Sequence, residues 1–115
     1  MPSRRPERVS GLVLQAVADI LLREVKDPRV NGVTVTAATM SPDLRGARIF
    51  IRTLQDETRA EALAGLQSAT GYIRRQVAAR LGLRYTPTLE FRYDNTLDEV
   101  NHLENLFHQI KQEDH

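Results

Sequence analysis

Residues 57–81 read ETRAEALAGLQSATGYIRRQVAARL, which is enough chain for about seven turns of helix. Apolar side chains recur along this segment at helical spacing, namely Leu63, Leu66, Ile73, Val77 and Leu81. Gly71 lies in the middle, directly after the β-branched Thr70, and a glycine inside a helix costs about 1 kcal/mol relative to alanine. We therefore predict two helices that meet at a kink near residues 69–71. Gly82 supplies the left-handed residue that ends the second helix.

The chain before this segment predicts one helix and a β-hairpin. The helix is marked by apolar residues at three- and four-residue steps, namely Val9, Leu12, Val13, Ala16, Val17, Ile20 and Leu21. Asp27-Pro28 ends the run, because a residue before proline disfavours the helical region. Residues 33–39 and 47–54 then alternate as strands do, and the turn residues at 41–46 join them.

One more strand and one more helix are predicted after Gly82. Pro87 suits the start of a strand over residues 88–93, which places three apolar side chains on one face: Leu89, Phe91 and Tyr93. Thr96 and Glu99 have the spacing of a capping box. The last helix that they open would turn a further apolar set inward: Val100, Leu103, Leu106, Phe107 and Ile110.

The predicted order is therefore helix, two strands, helix–kink–helix, strand and helix. No repeat, linker or low-complexity tract divides the chain, so we expect residues 1–115 to form a single α+β domain. Its three-stranded sheet would carry all the helices on one face. The opposite face would stay open and display Arg48, Arg52 and Arg92.

The composition is typical of a globular protein. Hydrophobic residues make up 41% and charged residues 27%, so a packed core is expected. The absence of cysteine removes disulfides, thiolate metal sites and cysteine nucleophiles. The first residues lack the apolar run of a signal peptide, and the most apolar stretch, residues 12–22, is interrupted by Gln15 and Asp19. We expect a cytoplasmic protein with no membrane segment.

Charge is distributed unevenly along the chain, although the net charge is only +1. Residues 1–92 hold 15 Lys+Arg against 9 Asp+Glu, a net charge of +6, whereas residues 93–115 hold 1 against 6, a net charge of −5. Of the 16 basic residues 14 are arginine, the side chain suited to forked contacts with phosphate. A GC-rich genome would explain the arginine content equally well, but it would not explain this polarity. The polarity indicates a polyanionic partner for the first part of the chain and an acidic end that faces away from it.

The sequence contains no recognisable catalytic motif. His102 and His108 are six residues apart, a spacing that does not align two metal ligands on one helical face. The carboxylate pairs at residues 56–57 and 98–99 lie at predicted helix N-termini, where the helix dipole is a sufficient reason for them. We expect no enzymatic activity, no cofactor or metal, and no small-molecule substrate. Catalysis by groups from distant elements would require a pocket with convergent polar side chains.

The basic residues near the predicted kink carry the strongest functional signal. Arg74 and Arg75 lie three and four positions after Gly71, so all three share a helical face. A helix that begins at a glycine lets a phosphate backbone approach closely and directs free N–H groups at it. Arg80 and Arg84 add charge, although Arg80 falls nearer the apolar flank. An ordinary solvated basic face with a packing glycine is the structural alternative, and an adaptor for an acidic protein is the functional one.

Several short segments resemble a known family in their order and spacing, and together they cover nearly the whole chain: Arg8-Val9, Asp27-Pro28-Arg29, Val33-Thr34-Val35-Thr36, Ser41-Pro42-Asp43-Leu44 followed by Ala47, Ala69-Thr70-Gly71-Tyr72-Ile73-Arg74, Leu83-Arg84, Pro87-Thr88-Leu89-Glu90-Phe91 and Tyr93-Asp94. On these segments the chain resembles the bacterial ribosome-binding factor A family. The resemblance implies a type-II KH-like domain, in which an Ala-x-Gly kink replaces the usual Gly-x-x-Gly loop that clamps nucleotide backbone.

The resemblance also implies a function and a contact surface. The family binds free 30S subunits and 16S rRNA, aids late 30S maturation with processing of the 16S 5′ end, and is linked to growth in the cold. The implied RNA-binding residues are Ala69, Thr70, Gly71, Arg74, Arg75, Arg84, Arg4, Arg5 and Arg8, with Arg45 as a further candidate. Arg80 joins this set from the charge pattern described above. Tyr72 and Tyr85 are candidates for stacking on bases, whereas Phe91 and Tyr93 are expected in the core. A monomer is expected.

Overall fold

The computed structural model describes residues 5–96, except for the side chains of Arg5 and Asp56. Its elements follow the predicted order: helix α1 (Arg5–Arg23), a 3-10 turn (Pro28–Val30), strands β1 (Thr34–Met40) and β2 (Gly46–Arg52), a second 3-10 turn (Asp56–Thr58), helix α2 (Arg59–Leu81) and strand β3 (Thr88–Tyr93). The predicted last helix and its apolar residues lie outside the described residues.

β2 is the central strand of a three-stranded sheet with the order β1-β2-β3. β1 pairs with it antiparallel, and a bulge between Val35 and Ala37 shifts the register. β3 pairs with β2 parallel, from Gly46 opposite Thr88 to Ile51 opposite Tyr93. A parallel pair requires a long crossover connection, and α2 supplies it. The predicted hairpin and the predicted α+β fold are both confirmed.

The core lies between the sheet and the two helices. In β2, Ala47, Ile49 and Ile51 are buried, whereas Arg48 between them is exposed, as the alternation of the sequence predicts. Most of the predicted apolar face of α1 is buried, namely Val13, Ala16, Val17, Ile20 and Leu21, and Val9 packs against it half-buried. Leu12 was wrongly predicted on this face, since it is 44% exposed. Tyr93 is buried in the same core and Phe91 packs against it, as expected. The alternation in β2 and β3 places Arg48, Arg52 and Arg92 on the other face of the sheet, away from the helices, as predicted.

α2 departs from the prediction, because residues 59–81 form one continuous helix rather than two helices that meet at a kink. Leu66 before Gly71, and Ile73 and Val77 after it, are buried in one cluster, so both halves of α2 are fixed on the same core. The Thr70 hydroxyl donates to the Leu66 carbonyl at 2.8 Å, which satisfies it within the helix. The roughly 1 kcal/mol cost of a glycine is too small to break a helix held in this way.

Gly82 ends α2 as predicted. Its φ of 60° is in the left-handed region, and its N–H donates to the carbonyls of Ala78 and Ala79.

Gly65 is a close contact that the sequence did not reveal. A Cβ at this position would lie 3.0 Å from Arg29 Cβ and 3.0 Å from Val30 Cγ1. Neither neighbour moves easily, because Val30 is buried and the Arg29 side chain is held by Asp27. The missing side chain lets α2 lie directly against the 3-10 turn that follows α1.

Two of the helical glycines, Gly65 and Gly11, form a matched test of this contact. Gly65→Ala is expected to lower the free energy of unfolding by about 1 kcal/mol, because overpacking costs about 1–3 kcal/mol and exceeds the gain in helix propensity. Gly11→Ala meets no atom within 4 Å and is expected to raise the free energy of unfolding by up to about 1 kcal/mol. Urea titrations of both variants measure the difference, and equal effects would contradict the contact.

Asp94 directly follows β3 and links the end of that strand to β1 and β2 by hydrogen bonds. Its carboxylate accepts hydrogen bonds from the Thr36 hydroxyl at 2.6 Å and from the Thr96 N–H at 2.9 Å, and its carbonyl accepts from Arg52 at 2.8 Å. The hydrogen bond from Thr36, followed by those from Thr96, lowers the pKa of Asp94 from 3.8 to about 2. The ionised carboxylate therefore stabilises the end of the sheet.

This pKa predicts how stability depends on pH. Because the folded pKa lies below the unfolded value, the contribution is complete above about pH 5 and is lost as the pH falls towards 2. Its size is about 1 kcal/mol once solvent screening of a half-buried group is allowed for. Asp94→Asn should therefore be less stable than the wild-type protein at pH 7, and the gap should close by pH 2. A gap that stays constant across this range in urea titrations would show that Asp94 contributes nothing through its charge.

Candidate nucleic-acid interface

The predicted arginines lie on four segments of the helical layer and its edges. Arg8 is exposed on α1, Arg45 is in the hairpin turn, Arg84 follows α2, and three more lie on α2 itself: Arg74, Arg75 and Arg80. Arg4 lies outside the described residues, and the side chain of Arg5 is among those not described. Two of the six described arginines, Arg74 and Arg80, bind other parts of the protein, whereas the other four are exposed.

Arg74 points into the protein rather than into solvent. Its Nε donates to the Pro87 carbonyl at 2.8 Å, and one of its terminal nitrogens lies 3.5 Å from the Thr86 carbonyl. These bonds hold the segment that leads into β3 against α2. Arg74 therefore has a structural role that is independent of any ligand.

Arg80 joins α2 to α1. Its guanidinium donates to Asp19 at 2.7 Å and also pairs with Glu24, which accepts a 2.7 Å hydrogen bond from the Tyr72 hydroxyl as well. The hydrogen bond from Arg80 is the largest cause that lowers the pKa of Asp19, and Arg23 adds to it. The charge of Arg80 is thus neutralised by two carboxylates, in keeping with its predicted position near the apolar flank.

Gly71 and Arg75 share an exposed face of α2, as predicted, but Arg74, which was predicted on the same face, turns to the segment before β3. A Cβ at Gly71 would meet only Arg75, whose guanidinium nitrogen lies 3.4 Å away. Gly71 is therefore not a packing glycine, since no other element of the described chain approaches it. Ala69 and Thr70 are half-buried, and Ala69 packs against the core.

One part of the predicted phosphate site is wrong. A helix N-terminus at Gly71 would have presented free N–H groups, but α2 continues through this position and its amides remain within the helix. Phosphate recognition at this point therefore depends on the bare backbone and on Arg75.

A second cluster brings together the hairpin turn and the segment after α2. The guanidinium carbon of Arg45 lies 4.6 Å from the centre of the Tyr85 ring, and that of Arg84 lies 5.6 Å from it. A cleft of about 410 Å³ opens beside Tyr85, lined by residues that include Val9, Asp43 and Leu83. Arg45 and Arg84 are far apart in sequence, so their proximity could not be inferred from spacing.

The hairpin turn that carries Arg45 is rigid. Leu44 takes φ 61°, an uncommon left-handed conformation for a residue with a side chain. The Ser41 hydroxyl accepts from the Gly46 N–H at 3.0 Å, and the Asp43 carboxylate accepts from the Arg45 N–H at 3.0 Å. Ser41 and Arg45 together lower the pKa of Asp43, with the Ser41 hydroxyl as the larger cause.

Among the described residues, some arginines pair with carboxylates and others do not. Within residues 6–96, salt bridges engage Arg23, Arg29, Arg48, Arg80 and Arg92. None of the carboxylates that the structure describes lies within salt-bridge distance of the exposed arginines Arg8, Arg45, Arg75 and Arg84. On the open face of the sheet, Glu90 pairs with both Arg48 and Arg92, so the display of charge expected there is partly neutralised.

Neither helix in the described part of the chain is long and apolar enough to cross a membrane. Among the same residues, no group of three or more His, Cys, Asp or Glu is placed to hold a metal ion.

The described residues form a small α+β domain, in which two helices cover a sheet made of a hairpin and a parallel third strand. Its helical layer carries exposed arginines without a carboxylate partner among the described side chains. The family model for ribosome-binding factor A matches residues 5–107. A ribosome-binding factor A from Halothermothrix orenii is 40% identical over 115 residues, which cover 99% of this chain and 94% of that protein. The chain belongs to the ribosome-binding factor A family, as the ordered motifs predicted.

Solved structures agree with this assignment. The crystal structure of ribosome-binding factor A from Thermus thermophilus superimposes with a TM-score of 0.68 at 25% identity, over 76% of this chain and 94% of that chain. A homology model of the Thermus thermophilus protein, fitted into the cryo-EM map of a 30S–RbfA complex, superimposes with a TM-score of 0.62 at 26% identity, over 75% and 91%.

The neighbouring arginines 74 and 75 give a direct test of their two roles. Arg74→Ala is expected to lower the free energy of unfolding by about 1–3 kcal/mol, because it removes charged donors from the carbonyls before β3. Arg75→Ala removes an exposed side chain and is expected to change it by less than about 0.5 kcal/mol. Urea titrations compare the two, and a larger loss in the Arg75 variant would reverse the assignment.

Proposed function

We propose that this protein binds free 30S subunits through 16S rRNA and assists late 30S maturation, including processing of the 16S 5′ end. It acts as a monomeric, cytoplasmic binding protein, without a cofactor or a catalytic step, and it supports growth in the cold. The observation that carries the proposal is the exposed Gly71–Arg75 face of α2 in a member of this family. The fit of the Thermus thermophilus protein into the map of a 30S–RbfA complex supports the 30S subunit as the partner.

Physical chemistry favours RNA backbone as the ligand of this face. The bare backbone at Gly71 permits close approach, and Arg75 beside it has a forked donor set that matches phosphate oxygens. Arg8, Arg45 and Arg84 are also exposed, so several phosphates can be neutralised at once. Binding of this kind releases condensed counterions and weakens steeply as salt is added.

The protein would act on assembly by differential binding. A ligand shifts a conformational equilibrium only to the extent that it binds one state better than the other. Tighter binding to an immature 30S conformation than to the mature one would hold the rRNA in a processing-competent arrangement until the protein is released.

The affinity of purified 30S subunits for the protein, measured by pelleting at several salt concentrations, tests this proposal. Arg75→Ala should weaken binding, and the slope of log K against log salt should become less steep by about 0.7–0.9 for each phosphate that the variant no longer neutralises. Arg48→Ala is the matched control, because it removes the same charge from the opposite face of the sheet, where Glu90 already pairs with it.

Two results would count against the proposal. Equal losses of affinity in the Arg75 and Arg48 variants would indicate a response to net charge rather than to a surface. Binding that survives nuclease digestion of the rRNA would point instead to a protein partner.

A further inference from the structure

Tyr85 has an aromatic ring that is partly exposed to solvent in the folded protein. It is 45% exposed, whereas Tyr93 is buried at 8%. Tyr72 is also at the surface, but its hydroxyl is used by Glu24 in the network between α1 and α2. In the described part of the chain, Tyr85 is thus the exposed tyrosine without a hydrogen-bonded role in packing.

The surroundings of Tyr85 are cationic and fixed in place. The guanidinium groups of Arg45 and Arg84 lie over the Tyr85 ring, and neither has a salt-bridge partner among the side chains that the structure describes. The Thr88 N–H donates to the Arg45 carbonyl at 2.8 Å, so the sheet register itself holds the hairpin turn next to the chain that carries Tyr85. A rigid aromatic ring with planar guanidinium groups next to it is a surface on which another flat ring can stack.

The cleft beside Tyr85 suits a flat, partly polar ligand. Its volume of about 410 Å³ lies in the range of small-molecule sites, and Val9, Leu44, Leu81 and Leu83 give it apolar walls. Asp43 lies on its rim and offers a carboxylate as an acceptor for amino groups.

We propose that Tyr85, Arg45 and Arg84 form a stacking site for an unpaired nucleobase of single-stranded RNA. The base would displace guanidinium from the Tyr85 ring and stack on it, and the two arginines would turn to the flanking phosphates. Bases inside a duplex are already stacked and would not be bound in this way. The proposal rests on the rRNA binding proposed above but concerns a different part of the surface from Gly71 and Arg75.

The test compares two probes by fluorescence anisotropy: a short oligo(A) RNA and an abasic ribose-phosphate oligomer of the same length. The full-length protein should bind oligo(A) more tightly than the abasic oligomer. Tyr85→Ala should weaken oligo(A) binding by about 5- to 100-fold, the range for removal of one stacked base, and leave the affinity for the abasic oligomer unaffected. Tyr85→Trp should retain the preference, because indole offers a larger stacking face.

Tyr72→Ala is the control, because it removes the other surface tyrosine without touching the cleft, and the ratio of the two affinities should stay as in the wild-type protein. Circular dichroism and urea titration establish that each variant is folded.

Three outcomes would overturn the stacking site. The first is equal affinity of the wild-type protein for the two oligomers, or no binding of either. The second is an unchanged preference in Tyr85→Ala. The third is binding of polyglutamate that Tyr85→Ala weakens as much as it weakens oligo(A), which would assign the cleft to an acidic protein. In each case salt-dependent 30S binding that is weakened in Arg75→Ala would leave the proposed function standing, so the two failures are distinguishable.

Discussion

β3 runs parallel to β2, and two parallel neighbours cannot be joined by a tight turn. The chain between them has to cross one face of the sheet, and α2 makes that crossing. Leu66 and Ile73 of α2 are therefore buried in one core with Ile49 of the central strand. The same pairing fixes where β3 begins, which brings the chain before it alongside the hairpin turn.

This crossing decides which arginines are available to a ligand. Arg74 is used to hold the approach to β3, and Arg80 is used to hold α1. Arg75 is adjacent to Arg74 but remains in solvent over Gly71. Charge density along the sequence is thus a poor measure of charge at the surface, because packing neutralises some arginines and leaves others free.

Local patterns predicted most of the fold. Alternation in β2 and β3, the apolar stripe of α1 and the terminating Gly82 all depend on near neighbours in sequence, and the structure confirms each of them except for Leu12 in the stripe. The family and its expected fold also followed from the order and spacing of short motifs.

The wrong or missing predictions all depend on distant contacts. The break expected at Gly71 is absent because a shared core holds both halves of α2, which a propensity argument does not include. Position 65 needs a glycine because the side chains of Arg29 and Val30 leave no room for a Cβ there. The sequence around Gly65 gives no sign of this contact. Likewise, the partners of Arg80 come from α1 and the turn after it, and the proximity of Arg45 to Tyr85 comes from the sheet register.

The association with the small subunit is most directly tested by sedimentation of a cell lysate on a sucrose gradient at low salt, with the protein detected across all ribosomal fractions. We predict that it migrates with free 30S subunits and is missing from 70S ribosomes. Its absence from every ribosomal fraction would contradict the proposed function, although the fold would stand.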